Sequence, residues 1–128
     1  MPETPLALEG VRILDFSRIW AGPHATKLLA DMGAEVIKVE STRAWDPHRT
    51  IAGSGNLPDG DPGPDPWNRS GWFNTLHQSK YGVTVDIRHP RGKAVLEELV
   101  AISDVMIENF RAGAMDRRGL GYRALRRL

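Results

Sequence analysis

Residues 11–40 read VRILDFSRIWAGPHATKLLADMGAEVIKVE, and this stretch decides the fold class. VRILDF (Val11–Phe16) is short, apolar and β-branched at its start, the pattern of a buried strand, here ending at Asp15. Gly22 suits an N-cap and Pro23 the first helical turn, where a missing N–H leaves nothing unpaired. Ala25, Leu28, Leu29 and Met32 then recur at i, i+3, i+4 and i+7, one apolar stripe of a helix. Gly33 stands where a helix commonly ends in the left-handed conformation. EVIKVE (Glu35–Glu40) reads as a second strand. Strand, helix and strand in so short a span predict a parallel pair joined by a right-handed crossover.

Downstream the pattern returns. VTVDI (Val83–Ile87) alternates and is β-branched, so it predicts a third strand. HPRGKAVLEELVAI predicts a helix with Pro90 near its first position, Gly92 in its first turn, and a stripe at Val95, Leu96, Leu99 and Val100. DVMIEN predicts a fourth strand, followed by a short helix over Ala114–Arg118 and a last one from Tyr122 to Leu128. Trp72–Gly82 allows one helical turn and then a tight turn at Tyr81–Gly82. Two such strand–helix–strand units give an α/β class, Rossmann-like, with a mostly parallel sheet and flanking helices. Between the units lies a long Pro/Gly-rich loop, residues 41–71, containing GSGNLPDGDPGPDP; it neither propagates a helix nor joins a sheet interior. Its tryptophans, Trp45 and Trp67, with Trp72 just beyond, predict an excursion that is partly ordered and packs on something, such as another subunit.

Composition narrows the function classes. A hydrophobic fraction of 41% with 26% charged residues is that of an ordinary globular protein, and 128 residues make one domain or a piece of one. The net charge of +1 gives no whole-chain argument for nucleic acid. The charge is uneven: from Arg111 onward six arginines face one acid, Asp116, which reads either as a phosphate attractor or as a solvated helix face. Without cysteine there is no disulfide or thiol chemistry, which fits a reducing compartment. The opening MPETPLALEG has acids at Glu3 and Glu9 and no basic start, unlike a signal peptide, and no apolar run approaches the ~20 residues that span a bilayer. A soluble, cytoplasmic protein is expected, with no membrane partner.

In an open parallel sheet, ligands bind beyond the carboxyl ends of the strands. The segments that follow the four strands carry Arg18, Arg43, Arg88, Arg111 and Arg117, the aromatics Trp20 and Phe110, and Asn109. Guanidinium groups favour phosphate through paired, charge-assisted hydrogen bonds, and aromatic or apolar strand ends can sandwich a base. That combination suits a nucleotide-bearing ligand. The G-x-G-x-x-G fingerprint of dinucleotide folds is absent: only Gly22 occupies that turn, and Trp20 fills the space of the pyrophosphate, so Glu40 reads as a solvated strand end rather than a ribose ligand. There is no P-loop. His24, His48, His77 and His89 lack metal-ligand spacing, so no metal is expected; His24 reads as a capping or packing residue and His89 as a helix-start residue. Ser17 has no nucleophile elbow around it. Asp15 reads as a hydrogen-bonding strand end, and no nucleophile with a base emerges.

LEGVRILDFSRIWAGPHATKLLADMGAEVIKVE, SKYGVTVDIRHPRGKAVLEEL and SDVMIENFRAGAMDRRGLGY, in that order, resemble the family III CoA-transferases, which include formyl-CoA transferase, carnitine CoA-transferase and the α-methylacyl-CoA racemases. The resemblance covers nearly the whole chain except residues 41–71. It implies a coenzyme A site built at the strand ends, with acyl-CoA and a carboxylic acid as substrates and no prosthetic group. By position, Trp20 and Ala21 fall in the turn that meets CoA. Val85, Asp86, Ile87 and Arg88 fall beside the adenosine. Asn109, Phe110 and Arg111 match the segment after the fourth strand, and Arg117 matches a CoA-contacting arginine. Ser41 stands where some members have an arginine beside the adenine, and Arg43 is the candidate to replace it; Ala112 stands where many have proline. For three of these a plainer role stays open: Phe110 as a core aromatic, Asn109 as a turn former, Arg88 as a helix-start cap or ion pair.

Family members are much longer. The resemblance implies that the transferases' catalytic aspartate, which carries the acyl group, and the racemases' acid and base lie beyond this region. The expectation is therefore that residues 1–128 are the N-terminal CoA-binding part of an incomplete large domain. Such a part holds no catalytic residue and is inactive alone. It would act as a homodimer when full length, or with a complementing chain. The same part of a racemase, or a non-catalytic CoA-binding fragment, are the alternatives.

Overall fold

Alternation along the first strand sorts the core. In the computed structural model, which describes residues 5–50 and 57–128, strand β1 (Arg12–Asp15) contributes Ile13 to one apolar cluster and Leu14 to the other, on opposite faces of the sheet. The chain continues through helix α1 (Ala21–Asp31), strand β2 (Glu35–Glu40), short helices α2 (Pro47–Thr50) and α3 (Gly71–Leu76), strand β3 (Lys80–Thr84), helix α4 (Pro90–Ala101), strand β4 (Val105–Ile107) and a final turn of helix, α5 (Tyr122–Leu125). The four strands are parallel, in the order β3-β2-β1-β4. Helix α1 places Ala30 with Ile13 and Val36 on one face. Helix α4 places Leu96 with Leu14, Phe16 and Val85 on the other. The expected parallel α/β architecture with helices on both faces is thus present, and the two crossovers diverge between β1 and β4.

Several boundaries and faces differ from expectation. Helix α1 is capped at Trp20, so Gly22 lies inside the first turn rather than at the cap. A Cβ at Gly22 would sit 2.2 Å from that of Ser17; only glycine lets the helix fold back so closely on the strand end. The buried positions of α1 are Pro23, Thr26 and Ala30, while Ala25, Leu28 and Met32 of the expected stripe are exposed and Leu29 is half-buried. The cause is Thr26, whose hydroxyl donates to the buried Asp15 carboxylate at 2.7 Å and turns the small-residue face inward. On α4, Leu96 is fully buried and Leu99 and Val100 partly so, but Val95 looks outward. His89 caps α4, accepting from the Arg91 amide at 3.2 Å, with Pro90 in the first turn as expected.

Strand β3 begins three residues earlier than VTVDI predicts, and Tyr81–Gly82 lie within it rather than in a turn. Lys80 sets that register. Its ammonium reaches Asp15 at 3.2 Å, Thr26 Oγ1 at 2.7 Å and the Pro23 carbonyl at 2.9 Å, which draws the chain into line with β2 from Val36 to Glu40. Val85–Ile87 therefore follow the strand instead of forming it. The segment expected as a helix over Ala114–Arg118 tightens to a 3₁₀ turn, Asp116–Arg118, stopped by Gly119 at φ +69°. The last helix covers only Tyr122–Leu125.

The loop at 41–71 does form a helix, α2, and packs on its own chain; residues 51–56 lie outside the described residues. Arg49 ties it down. The guanidinium forms a two-pronged pair with Glu40 (2.8 and 2.7 Å), donates to the Trp67 carbonyl at 3.0 Å and lies 3.5 Å over the Phe73 ring. Glu40 is thus an ion-paired residue, not a solvated strand end. Among the described residues no helix is long and apolar enough to cross a membrane.

Under the strand ends lies a polar core. Asp15 is fully buried and accepts from the Ser17 amide at 2.8 Å, the Ser17 hydroxyl, Thr26 and Lys80. Burial alone would push its carboxyl up, but the charge of Lys38, the Ser17 hydrogen bond, Lys80 and Thr26 together hold it below the ordinary aspartate value. Breaking one partner of a buried pair costs about 3–5 kcal/mol, because the other charge is left unpaired. Asp15→Asn should therefore lower unfolding stability in urea by about 3 kcal/mol; an unchanged urea midpoint would show that the core does not need the carboxylate charge. His77 supplies a second test. Burial, then the ammonium groups of Lys80 and Lys38, push its imidazole down to about 3. The unfolded chain takes up a proton below about 6.5 that the folded protein refuses. This contribution is therefore complete above about pH 6.5 and is lost as pH falls toward about 3. Urea midpoints should drop between pH 7 and 5, and His77→Gln should flatten that drop.

Candidate functional site

The end of β2 and the segments that follow all four strands line one cavity of about 260 Å³. Its floor is apolar: Phe16 from the end of β1, Val39 from β2, Val85 after β3, Leu96 from α4, and Met115. Its walls are charged. Arg18, Lys38, Arg43, Arg88 and Arg118 line it against Glu40, Asp46 and Asp86. Each of the three carboxylates is already engaged. Glu40 is held by Arg49. Asp46, itself buried, accepts from the backbone amides of Ile19 at 3.0 Å and His48 at 2.9 Å. Asp86 bridges Arg43 at 2.9 Å and Arg88 at 3.5 Å. The Arg88 backbone amide, then the charges of Arg43 and Arg88, hold the Asp86 carboxyl below the usual range. What remains is an excess of positive charge around an apolar slot, a setting that attracts anions and focuses their approach.

Of the residues expected at a site, Ser41, Val85, Asp86, Ile87, Arg88 and Phe110 line this cavity. Phe110 is 36% exposed at its edge, which removes the core-aromatic reading, and Arg88 makes the ion pair that the plainer reading foresaw. Arg18 and Arg43, named as strand-end arginines, line it too. Trp20, Ala21, Asn109, Arg111 and Arg117 do not. The Trp20 ring packs 4.8 Å from Trp72 and 6.1 Å from His48. Ala21 opens α1. Arg111 and Arg117 are exposed, the latter's guanidinium close to Gly113. Asn109 bonds the backbone of Arg18 on both sides, accepting from its amide and donating to its carbonyl, each at 2.8 Å.

Three charged residues of the lining are not among those the sequence points to. Lys38 lies inside β2 and is 3% exposed; its ammonium, whose pKa burial lowers, donates to the Ser17 carbonyl. A lysine in an otherwise apolar strand was the available signal. Asp46 was hidden in the loop, and Arg118 stands next to the arginine that was named. The turn between β1 and α1 carries the site's backbone strain: Ile19 sits at φ +70°. A β-branched residue there costs about 1–3 kcal/mol and persists only where its surroundings impose it. Among the described residues no cluster of three or more His, Cys, Asp or Glu side chains could hold a metal ion.

Residues 8–128 match the family described as CoA-transferase family III. Among curated relatives, succinyl-CoA:glutarate CoA-transferase of Mus musculus is 41% identical over 121 residues, 90% of this chain and 24% of that protein. Formyl-CoA:oxalate CoA-transferase of Bradyrhizobium sp. (strain ORS 278) is 45% identical over 116 residues, 91% of this chain and 25% of that protein. Among solved structures, a CAIB/BAIF family protein from Brucella suis superposes with a TM-score of 0.80 at 35% identity, over 97% of this chain and 31% of that one. Rv3272 from Mycobacterium tuberculosis superposes with a TM-score of 0.80 at 36% identity, over 98% of this chain and 32% of that one. The chain spans about a quarter of the length of the curated relatives it matches.

One backbone approach shapes the cavity wall. A Cβ at Gly92, in the first turn of α4, would stand 2.2 Å from the Asp86 carbonyl oxygen. Gly92→Ala must push residues 85–88 outward, with an expected loss of about 1–3 kcal/mol in urea unfolding and weaker anion binding at the cavity. An unchanged unfolding midpoint would show that the wall yields freely.

Proposed function

The chain belongs to CoA-transferase family III, and from that premise we propose that it is the CoA-binding N-terminal part of an enzyme that moves CoA between carboxylic acids. The observation that carries this reading is the cavity itself, an apolar slot walled by five cationic side chains at the carboxyl edge of a parallel sheet. Its volume lies just under the range of about 300–1,000 Å³ usual for ligand pockets. That suits the adenosine end of CoA better than the whole molecule. Val85, Ile87 and Phe110 would flank the adenine, and Ser41 would offer a hydrogen bond beside it. Arg43 and Arg88 line the same space, and each pairs with Asp86, whose carboxylate a phosphate could replace. Arg18 and Arg118 add further positive charge to the lining.

The chain's own chemistry in this reading is binding and orientation. The aspartyl-acyl step belongs to a residue beyond these 128, and acyl-CoA and carboxylate are the substrates. Assembly as a homodimer, or with a complementing chain, and a cytoplasmic setting are part of the same proposal. So is the assignment of residues 1–128 to one unit of the large domain.

Calorimetric titration with CoA and with 3′-dephospho-CoA tests it. Arg43→Ala should weaken CoA about tenfold or more, the scale of a lost charge-assisted hydrogen bond, whereas Arg127→Ala, a remote arginine, should not. Arg117→Ala should behave like the remote control, since Arg117 does not line the cavity. If Arg117→Ala instead discriminates CoA from its dephospho analogue, the 3′-phosphate lies there. Wild-type protein that binds neither ligand sinks the proposal.

A further inference from the structure

The turn that joins β1 to α1 is held from several segments, and its own Arg18 guanidinium donates to the Trp45 carbonyl. Asp15 takes the Ser17 amide at 2.8 Å, and Lys38 of β2 donates to the Ser17 carbonyl. Asn109, just after β4, takes both the amide and the carbonyl of Arg18 at 2.8 Å. Asp46, in the excursion after β2, takes the Ile19 amide at 3.0 Å. At the centre of these bonds Ile19 is left-handed, with φ +70°. Three non-glycine residues have positive φ among the described residues: Ile19, Asp59 and Ser79. Ile19 is the β-branched one, for which that conformation is a true outlier. It is also 50% exposed, so burial of its own side chain does not explain the strain.

We infer that Asn109 and Asp46 are positioning residues that hold Ile19 in its left-handed conformation. Through it they fix Arg18 at the cavity and Trp20 at the start of α1. The carboxamide of Asn109 acts on the turn, not on the ligand. The segments after β1, β2 and β4 are in this way locked to one another, and the cavity wall that Arg18 forms depends on all three. In its ligand-binding arm this inference rests on the CoA reading above; its hydrogen-exchange arm does not.

Glycine adopts φ near +70° without strain. A clamp against strain therefore becomes dispensable when Ile19 is replaced by glycine, whereas a direct ligand contact does not. The test compares Asn109→Ala, Ile19→Gly and the double variant in the intact gene product, with CoA as the probe and with amide hydrogen exchange. Asn109→Ala alone should weaken CoA about tenfold. It should also speed exchange at the Ile19 amide, although that amide's own acceptor, Asp46, is untouched. The double variant should bind within about twofold of Ile19→Gly, the margin within which independent effects add, with protection at residue 19 matching that single variant. An equal penalty for Asn109→Ala in both backgrounds would assign Asn109 to the ligand and overturn the inference. So would unaltered exchange at Ile19 in Asn109→Ala. If Asn109→Ala does not fold, recovery of folding in the double variant supports the clamp, and failure of both overturns it. Wild-type protein without CoA affinity would end the CoA reading alone, and the exchange comparison would still decide the role of Asn109.

Discussion

A buried carboxylate at the tip of the first strand is the constraint on which the rest depends. Asp15 has no water to satisfy it, so the chain must bring donors to it. Thr26 comes from α1, Lys80 from β3, and Ser17 from the turn itself. Each donor has a structural consequence beyond its own bond. Thr26 sets the rotation of α1 and leaves Leu28 and Met32 outward. Lys80 sets the register of an edge strand whose own hydrophobic pattern is weak. Ser17 starts the turn that ends in the strained Ile19. A hydrophobic core alone would have fixed none of the three, because apolar contacts are not directional.

The same economy of charge governs the cavity. Five cations and three carboxylates line the slot. Glu40 is paired with Arg49, and Asp46 accepts from backbone amides, so among the described residues neither forms an ion pair with the slot's arginines. Asp86 is the exception, since it occupies Arg43 and Arg88 at the rim. These pairs are largely exposed on the arginine side, where an ion pair contributes little. An anionic ligand that displaces Asp86 would lose little by doing so, and the two guanidinium groups are already held near each other.

Much of this was legible in the sequence, and the limits were physical. β1, β2 and β4 were readable because buried parallel strands are short apolar runs bounded by turn residues. β3 was misplaced because Lys80 and Tyr81 look like solvent residues, and only the distant Asp15 explains a lysine at the start of a strand. The stripe on α1 was assigned to the wrong face for the same reason. AGPHATKLLADM contains two helical faces, and a hydroxyl–carboxylate bond chose the smaller one. Position along the strand is enough to bring Ser41, after β2, and Val85, Asp86, Ile87 and Arg88, after β3, to the lining of one cavity. Lys38, Asp46 and Arg118 were missed because their roles arise from contacts between segments far apart in sequence. Asn109 was named for the right neighbourhood, but its hydrogen bonds go to the chain itself.

Lys38 joins the polar core to the cavity. It is buried in β2, its charge disfavoured by burial and restored by Asp15, Asp46 and Glu40, and it both supports the Ser17 carbonyl and lines the slot. A negative charge arriving in the slot would be attracted by the Lys38 ammonium, which also donates to the Ser17 carbonyl. An anion bound there would thus meet a residue of the same network that orients α1, β3 and the Ile19 turn. A ligand that binds only the folded arrangement stabilises it by mass action, and here the contact through which it does so is a residue of the core. Ser17 and Arg18, consecutive residues of the turn, are fastened by Lys38 and Asn109 respectively, so the strained turn and the cavity wall share one set of supports.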